Sequence, residues 1–375
     1  MRDCIKFSRS RATTNRPEQL LDMQSTAPSV LIIRRRYLGD LILLGAIIKN
    51  LRLHSPFAHI AVLTERAYAG VLEMNPDVNE VLHFPHGFGD WLALTRRLWK
   101  QKFSAVFDFD NRDKTALITL LSRATRRFAL HHGEKVHLGW MYTDHEVVKH
   151  SLANLHLIDF HDRLLIRAGI SVTSRDISLR PREADLQFVR ALPELADLPH
   201  DRPRLMVHPG SRSACRIWPA KNFAAVLDEV QASGLASVTL VSGPAEKQLT
   251  DDIQRQMRTP IKCLRQDFSL SQLGALLSTF DSLLCHDSGP MHLAAAVGTT
   301  VVALYGSQDK DLFAPIGADH ICLAPPLPCT NCVLPNLCKP GDSYNTYCVR
   351  NILESDVLDA IRKQLQSKPH VELLR

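Results

Sequence analysis

The chain has 375 residues, of which 45% are hydrophobic and 22% are charged, and its formal net charge is +6. This length predicts two domains, and the composition is that of an ordinary globular protein. The longest apolar run, residues 41–48, is too short to span a bilayer, and the first residues lack the apolar core of a signal peptide. These features argue against a membrane-spanning protein and lead us to expect a cytoplasmic one.

The positive charge is concentrated near the N-terminus. Residues 1–60 contain ten Lys or Arg and four Asp or Glu, a local excess that equals the net charge of the whole chain. Residues 1–28 show no hydrophobic periodicity and are predicted to form a disordered basic extension. Two interpretations stay open: a merely solvated basic tail, or a site for an anionic partner such as a membrane surface, a phosphorylated glycan or a nucleic acid.

Strands and helices alternate through residues 29–185, the predicted first domain. The strands are expected at 30–35, 59–65, 78–84 and 103–109, and the helices at 40–53, 67–74, 90–100, 114–122 and, after an irregular His-rich stretch, 151–168. This βαβ rhythm predicts a parallel sheet with helices on both faces.

The rhythm restarts after residues 170–203, a proline-rich stretch of mixed charge that predicts a domain boundary. The second domain, residues 200–375, is expected to have strands at 204–208, 237–242, 281–286 and 299–306 and helices at 219–232, 245–257, 269–279, 291–297 and 354–366. The fold class is therefore α/β, with two doubly wound domains that place their ligand loops on either side of a cleft.

The sharpest local pattern is HDSGPMHLAAAVGTTVVALYG, which begins at His286. It predicts a strand end, a polar turn made by Asp287, Ser288 and Gly289, a helix opened by Pro290, and a second strand. Such a turn directs free backbone N–H groups and a helix dipole at an anion such as phosphate. The turn by itself is also compatible with ordinary helix capping by its Asp and Ser.

A similar turn, RRRYLGD, follows the first strand. Gly39 permits close backbone approach, and Asp40 stands at the start of the next helix, facing the cleft. A carboxylate at this position can cap the helix, which position alone favours, or accept a proton from a substrate hydroxyl as a general base.

Two more polar loops follow strands of the second domain. HPGSRSACRIWP contains Ser211 and Arg216, a hydroxyl donor and a fixed positive charge suited to phosphate oxygens. SGPAEK contains Gly243 and Glu246, whose carboxylate can bind a ribose diol or stabilise the helix start. The chain has neither GxGxxG nor a Walker sequence after these strands, which disfavours dinucleotide redox chemistry and P-loop hydrolysis.

Together, RRRYLGD, HPGSRSACRIWP, SGPAEK and HDSGPMHLAAAVGTTVVALYG resemble the motifs of glycosyltransferase family 9, the bacterial ADP-heptose:lipopolysaccharide heptosyltransferases. The resemblance covers nearly everything from Val30 onward. It implies a GT-B architecture, in which two Rossmann-like domains face each other across the active site. It also implies inverting, metal-independent transfer of a heptose from ADP-heptose to the inner core of lipopolysaccharide.

The resemblance also implies roles for single residues. Asp40 matches the proposed catalytic base, and Arg216 occupies the position of a basic residue that neutralises the departing diphosphate. The other implied donor-binding residues are Gly39, Ser211, Gly243, Glu246, Asp287, Ser288, Gly289 and His292. His292 is equally compatible with a structural, hydrogen-bonded histidine.

The implied acceptor is anionic, being built on Kdo sugars and lipid A phosphates, and this gives the basic residues of the first domain a purpose. The candidates flank the first site loop or are expected in later loops of that domain: Arg35, Arg36, Asn111, Arg112, Arg126 and Arg127. Peripheral contact with the anionic inner face of the cytoplasmic membrane is expected from the remaining basic residues, which otherwise serve surface solubility.

Nine cysteines are present, and Cys329, Cys332, Cys338 and Cys348 lie together in a Pro- and Asn-rich part of segment 322–348. A CxxC pair followed by two further cysteines is compatible with a structural zinc site, with reduced thiols, or with a disulfide formed on oxidation. No cofactor is expected for catalysis.

Other function classes remain alternatives at this stage. They are transfer from another nucleotide sugar to a cell-surface glycan, nucleotide-sugar binding without transfer, and nucleotide-sugar epimerisation or hydrolysis on the same scaffold. A nucleic-acid-binding module is the weakest alternative, and we expect no nucleic-acid partner, because only the basic residues suggest one and no aromatic-lined surface is evident.

Overall fold

The first domain contains a parallel six-stranded sheet. The computed structural model describes residues 28–148, 155–196, 198–199, 201–212, 216–243, 246–306, 308–325 and 348–366. The strands of the first sheet are β1 (Ser29–Ile33), β2 (His59–Thr64), β3 (Glu80–His83), β4 (Ala105–Asp108), β5 (Arg126–His132) and β6 (Asp144–Val148). Their spatial order is β3-β2-β1-β4-β5-β6, so the order reverses between β1 and β4.

Helices cover both faces of this sheet: α1 (Leu38–Leu43), α2 (Gly45–His54), α3 (Ala69–Leu72), α4 (Phe88–Gln101), α5 (Asp113–Leu121) and α6 (Leu157–Arg167), with short 3₁₀ turns at Arg66–Tyr68 and Gly139–Met141. The buried residues of β1 alternate between the two faces. Leu31 and Ile33 pack with α4 and α5, whereas Ile32 packs with α2 and α6. The sheet is therefore buried on both sides, as an all-parallel sheet requires.

The second domain repeats this topology. Its strands are β7 (Arg204–His208), β8 (Ser237–Val241), β9 (Lys262–Leu264), β10 (Ser282–His286), β11 (Thr300–Leu304) and β12 (Ile321–Leu323), and its helices are α9 (Ala220–Ala232), α10 (Lys247–Gln256), α11 (Leu270–Leu277), α12 (Gly289–Ala296) and α13 (Glu354–Gln366). The order is β12-β11-β10-β7-β8-β9, all parallel, and it reverses between β10 and β7. Both domains thus have the doubly wound order predicted from the sequence.

The connecting segment packs on the second domain. It contains α7 (Glu183–Arg190) and α8 (Pro193–Ala196). The backbone N–H of Leu179 donates to the Ala296 carbonyl at 2.8 Å, and the Arg182 guanidinium donates to the Ser271 hydroxyl at 3.0 Å. The predicted boundary at 170–203 therefore contains a segment that packs across α11 and α12.

Several elements differ from the sequence-based prediction. The stretch taken as irregular contains β5 and β6, whose ends carry charged residues and histidines in place of an unbroken apolar run. The short strands β9 and β12 were also missed. The predicted helix 40–53 is two helices, α1 and α2, that meet at Leu44, and α1 begins before Asp40.

Within the described residues, none of the helices has the length and apolar character needed to cross a membrane.

Candidate active site

The two sheet crossover points face each other. In doubly wound folds, ligands bind at the carboxyl ends of the strands where the strand order reverses. The loops after β1, β7 and β10 meet there around a cavity of about 680 Å³. Nine of the predicted site residues line it, namely Gly39, Asp40, Ser211, Arg216, Glu246, Asp287, Ser288, Gly289 and His292.

Asp40 is the acid that the first domain contributes. It lies in the first turn of α1, whose N-cap is Tyr37, and no side chain caps this helix. The Asp40 carboxylate instead forms an ion pair with Arg34. The helix-capping interpretation of Asp40 is therefore wrong, since this carboxylate has a charged partner and faces the cavity.

Arg34 positions the Asp40 carboxylate through this ion pair. Its guanidinium also donates to the Phe109 carbonyl at 2.8 Å and lies 3.3 Å from the Asp110 carboxylate, so it ties the loop after β1 to the end of β4. Burial raises the pKa of Asp40, Arg34 lowers it, and the Asp110 charge raises it. Burial has the largest effect, so Asp40 binds a proton more readily than a free aspartate, as a general base should.

Asp287 is the acid that the second domain contributes. It lies in the turn between β10 and α12, and its carboxylate is 3.4 Å from the Arg216 guanidinium. Burial raises the pKa of Asp287 to about 6, Arg216 opposes this shift, and the charge of Asp40 adds to it. Asp40 and Asp287 line the same cavity, so the two domains bring their acids to one site.

His286 fixes the loop that carries Arg216. It is fully buried, and its Nε2 accepts a hydrogen bond of 2.8 Å from the backbone N–H of Trp218. Nε2 is therefore unprotonated, and burial lowers the pKa of His286 to about 3. Trp218 is also fully buried and donates its indole N–H to the Ile352 carbonyl at 3.1 Å. These contacts hold the backbone two residues beyond Arg216.

Glu246 closes another side of the cavity. Its carboxylate accepts the backbone N–H of Gly243 at 2.7 Å, and its other oxygen lies 3.7 Å from Nε2 of His208. Burial lowers the pKa of His208, and the Glu246 charge opposes that shift. Gly243 thus holds the Glu246 carboxylate through this N–H, although Gly243 does not line the cavity. Because Glu246 lines the cavity, it is available to a polar ligand.

The two domains touch where α1 meets α12. A Cβ on Gly39 would lie 2.7 Å from the His292 ring, and a Cβ on Gly289 would lie 2.7 Å from Leu38. Both glycines are thus required by contact between domains, whereas the sequence suggested that Gly39 makes room for a ligand. His292 is almost fully buried, its Nδ1 lacks a hydrogen-bond partner, and burial lowers its pKa to about 3.

The structure divides the six acceptor candidates. Arg35 and Arg36 follow β1 and Arg112 precedes α5, so these three lie at the cleft edge of the first sheet, outside the cavity lining. Asn111 is buried and exchanges hydrogen bonds with the His137 backbone at 2.8 and 2.9 Å. Its side chain therefore joins two loops of the first domain.

Arg126 and Arg127 are not brought to the cleft. They begin β5, at the edge of the sheet opposite the cleft, so their predicted loop location is wrong. Arg126 donates to the Ala168 carbonyl at 3.3 Å, and Arg127 donates to the carbonyls of Met141 and Ala124 at 2.8 and 2.7 Å.

Several cavity residues were not singled out from the sequence, namely Arg34, Tyr37, Leu38, Leu43, His208, Arg212, Leu270, Leu273, Gln308 and Phe313. Tyr37 has a φ of 71°, which is unusual for a side chain of this size, and the Arg212 guanidinium lies 5.0 Å from its ring centroid. This contact bridges the two domains. The sequence did offer a signal for Arg34, because this residue directly follows β1 and precedes Asp40 by only six residues.

The cysteine cluster lies almost entirely outside the described residues. Cys329, Cys332 and Cys338 are not described, and of Cys348 only the backbone is, at the start of a 3₁₀ turn. Among the side chains that are described, no group of three or more His, Cys, Asp or Glu could hold a metal ion.

A sequence model of glycosyltransferase family 9 (heptosyltransferase) matches residues 91–337. The chain belongs to this family. It is 26% identical to lipopolysaccharide heptosyltransferase 3 of Escherichia coli K12 over 290 residues, which cover 75% of this chain and 83% of the relative. As a member of the family, the protein is a glycosyltransferase.

Solved structures agree on the fold. A family 9 glycosyltransferase from Veillonella parvula superposes with a TM-score of 0.80 at 21% identity, covering 91% of this chain and 98% of the other. The E. coli ADP-heptose lps heptosyltransferase II superposes with a TM-score of 0.72 at 19% identity, covering 90% and 99%. The predicted GT-B architecture is thereby confirmed.

Proposed function

We propose that this glycosyltransferase moves a heptose from ADP-heptose to the inner core of lipopolysaccharide with inversion at the anomeric carbon. The observation that carries the proposal is the placement of Asp40 and the Arg216–Asp287 pair, from opposite domains, on one cavity. The names of the relatives support the donor and acceptor: lipopolysaccharide heptosyltransferases match the sequence, and a similar fold was solved as E. coli heptosyltransferase WaaC with ADP-2-deoxy-2-fluoro heptose.

The donor occupies the second-domain side of the cavity in this proposal. The start of α12 directs the backbone N–H groups of Ser288 and Gly289 toward the diphosphate, with the positive end of the helix dipole behind them. Ser211 adds a hydroxyl donor, and Glu246 contacts the nucleoside. Asp287 accepts hydrogen bonds from the sugar hydroxyls.

In the proposed reaction Asp40 and Arg216 each have one role. The Asp40 carboxylate takes the proton of the acceptor hydroxyl as that oxygen forms a bond to the anomeric carbon. The bond from this carbon to the diphosphate breaks on the opposite face, and ADP leaves with the electron pair. Arg216 and the α12 N-terminus stabilise the charge that develops on the diphosphate, so the proposed step uses no metal ion.

The test measures ADP release with a panel of nucleotide sugars, with and without truncated core acceptors. We expect turnover that requires both ADP-heptose and an acceptor. Release of nucleotide without an acceptor would instead support a hydrolase or epimerase, and donor binding without turnover would support a binding protein. Preference for another nucleotide sugar would overturn the donor assignment.

An Asp40→Asn variant tests the base within the same assay. The amide keeps the size of the side chain but cannot take a proton, so we expect transfer to fall by about 10²–10⁴-fold. Donor affinity, measured by calorimetry, should stay unchanged. The matched control is Asp113→Asn, which alters an exposed acid of α5 outside the cavity lining. Near-normal turnover by Asp40→Asn would remove the base from the proposal.

A further inference from the structure

Helix α4 has apolar residues on two faces, and the fold uses only one of them. Leu94 and Leu98 are buried against the first sheet. On the outward face, Phe88 is 86% exposed, Leu92 is 41% exposed and Trp99 is 43% exposed. Their spacing of four and seven residues places them along one side of the helix.

The neighbouring helix α5 enlarges this surface. Leu117 of α5 is 40% exposed. The Trp99 indole donates to the Leu121 carbonyl at 2.9 Å, and the Arg123 guanidinium covers the Trp99 ring at 4.0 Å, so the end of α4 is joined to the end of α5. We call the surface made by Phe88, Leu92, Trp99 and Leu117 the α4 face.

Basic residues surround the α4 face. Five exposed side chains on or beside α4 and α5 are cationic: Arg96, Lys100, Arg112, Lys114 and Arg123. The exposed acids Asp90 and Asp113 are engaged, since Asp90 accepts the backbone N–H groups of His86 and Gly87, and Asp113 pairs with His137. Exposed aromatic and aliphatic side chains within a basic surround are typical of segments that lie in the interface of an anionic bilayer.

The α4 face lies beside the active-site cleft. α4 begins after the carboxyl end of β3, at the same sheet edge as the loop that contains Asp40. A short chain of contacts links them: the His86 imidazole lies 2.8 Å from Glu65, and Glu65 binds the Arg35 guanidinium at 2.7 Å. Binding of the α4 face to a membrane would therefore keep the cleft close to the lipid surface.

We propose that the α4 face binds the anionic surface of a phospholipid bilayer, with Phe88, Leu92 and Trp99 inserted among the headgroups and the basic residues on lipid phosphates. The charge favours lipid over a second copy of the chain, because two such faces would repel each other. This membrane interaction rests on the proposed function, because that function supplies the lipid-linked acceptor. The membrane interaction itself can be measured without any substrate.

The experiment is co-sedimentation of the full chain with phosphatidylcholine vesicles that contain or lack phosphatidylglycerol. We expect binding only with the anionic lipid, and weaker binding at high salt. Phe88→Ser combined with Leu92→Ser should weaken binding by roughly tenfold or more, because both side chains leave water on insertion. The matched control is Leu53→Ser with Phe57→Ser, two residues that are 52% and 87% exposed at the opposite edge of the sheet.

Charge reversal gives a second variant. Arg96→Glu with Lys100→Glu should weaken binding to anionic vesicles by at least about fivefold, since each basic residue contributes near the lipid surface. Arg258→Glu with Lys363→Glu, two exposed cations of the second domain, should bind as the native chain does. Circular dichroism checks that every variant is folded.

Equal vesicle binding by the native chain and both α4 variants would overturn the proposal, as would no binding by the native chain. A native dimer in light scattering that the α4 variants dissociate, without vesicle binding, would assign the α4 face to a second copy. Transfer to a soluble, delipidated acceptor should be unaffected by the α4 variants. If neither the native chain nor any variant transfers heptose, but vesicle binding still depends on the α4 face, only the proposed function has failed.

Discussion

The two arginine–aspartate pairs of the cavity are built differently. Arg34 directly follows β1, and Asp40 lies six residues later in the first turn of α1. The Phe109 carbonyl anchors Arg34 further. Arg216 and Asp287 come from loops after different strands, and their charged groups are 3.4 Å apart. The first pair is locally constrained, which suits a base that must keep one orientation. The second contact is long for a charge-assisted hydrogen bond, so Arg216 remains available to a second anion such as a diphosphate.

This comparison predicts that the second pair is more sensitive to loss of its arginine. In the proposed reaction Arg216 stabilises the charge on the departing diphosphate, so for Arg216→Ala we expect kcat to fall by about 10²–10³-fold, together with weaker donor binding. The measurement is steady-state kinetics with calorimetric titration of ADP. Arg212→Ala, which removes another cation four residues earlier in the same loop, should cost much less. Equal losses in the two variants would show that Arg216 contributes only general positive potential.

His286 supports the second pair in a way that has no counterpart in the first. His286→Phe fills the same space but leaves the backbone N–H of Trp218 buried without an acceptor, which should cost about 1–3 kcal/mol of unfolding free energy. Because the Trp218 loop also carries Arg216, transfer should slow as well. Urea unfolding and kcat measure the two effects.

The conservative His286→Gln variant serves as the control for this prediction. Its side-chain oxygen can accept from Trp218, so it should recover part of both losses. If His286→Phe is as stable and active as the native chain, the histidine does not position the Arg216 loop.

The same contrast explains what could be predicted from the sequence. The site loops were recognisable because each follows an apolar strand directly, as Asp287 and Ser288 follow β10. The His286–Trp218 bond joins residues 68 positions apart and leaves no local signature. Strands β5 and β6 were missed because RRFALHH and DHEVV carry polar residues at their partly exposed positions.

Two of the acceptor candidates, Arg126 and Arg127, lie away from the cleft for a related reason. Their charge and an expected location in a loop suggested an acceptor role, but the direction of β5 places them at the sheet edge away from the cleft. A charged residue can be assigned to a doubly wound site only when the sequence shows which end of its strand it occupies. Arg34 met this condition, because it follows β1 immediately and precedes Asp40 in the same loop.

Removal of Arg34 should change the pH dependence of transfer more than its maximal rate. The proposed base Asp40 must be unprotonated to accept a proton, so we expect activity to fall as the pH drops through the pKa of Asp40. Burial raises this pKa and Arg34 lowers it, so Arg34→Gln removes a stabilising partner of the carboxylate and the pKa rises further. The acid limb of kcat/KM should therefore move to higher pH, with near-native activity recovered on the alkaline side.

Arg36→Gln, at an exposed position of the same loop, should leave the acid limb in place. A loss that is the same at every pH in Arg34→Gln would mean that Arg34 orients Asp40 without tuning its charge. The two pairs would then act alike, since removing Arg216 is also expected to lower transfer at every pH.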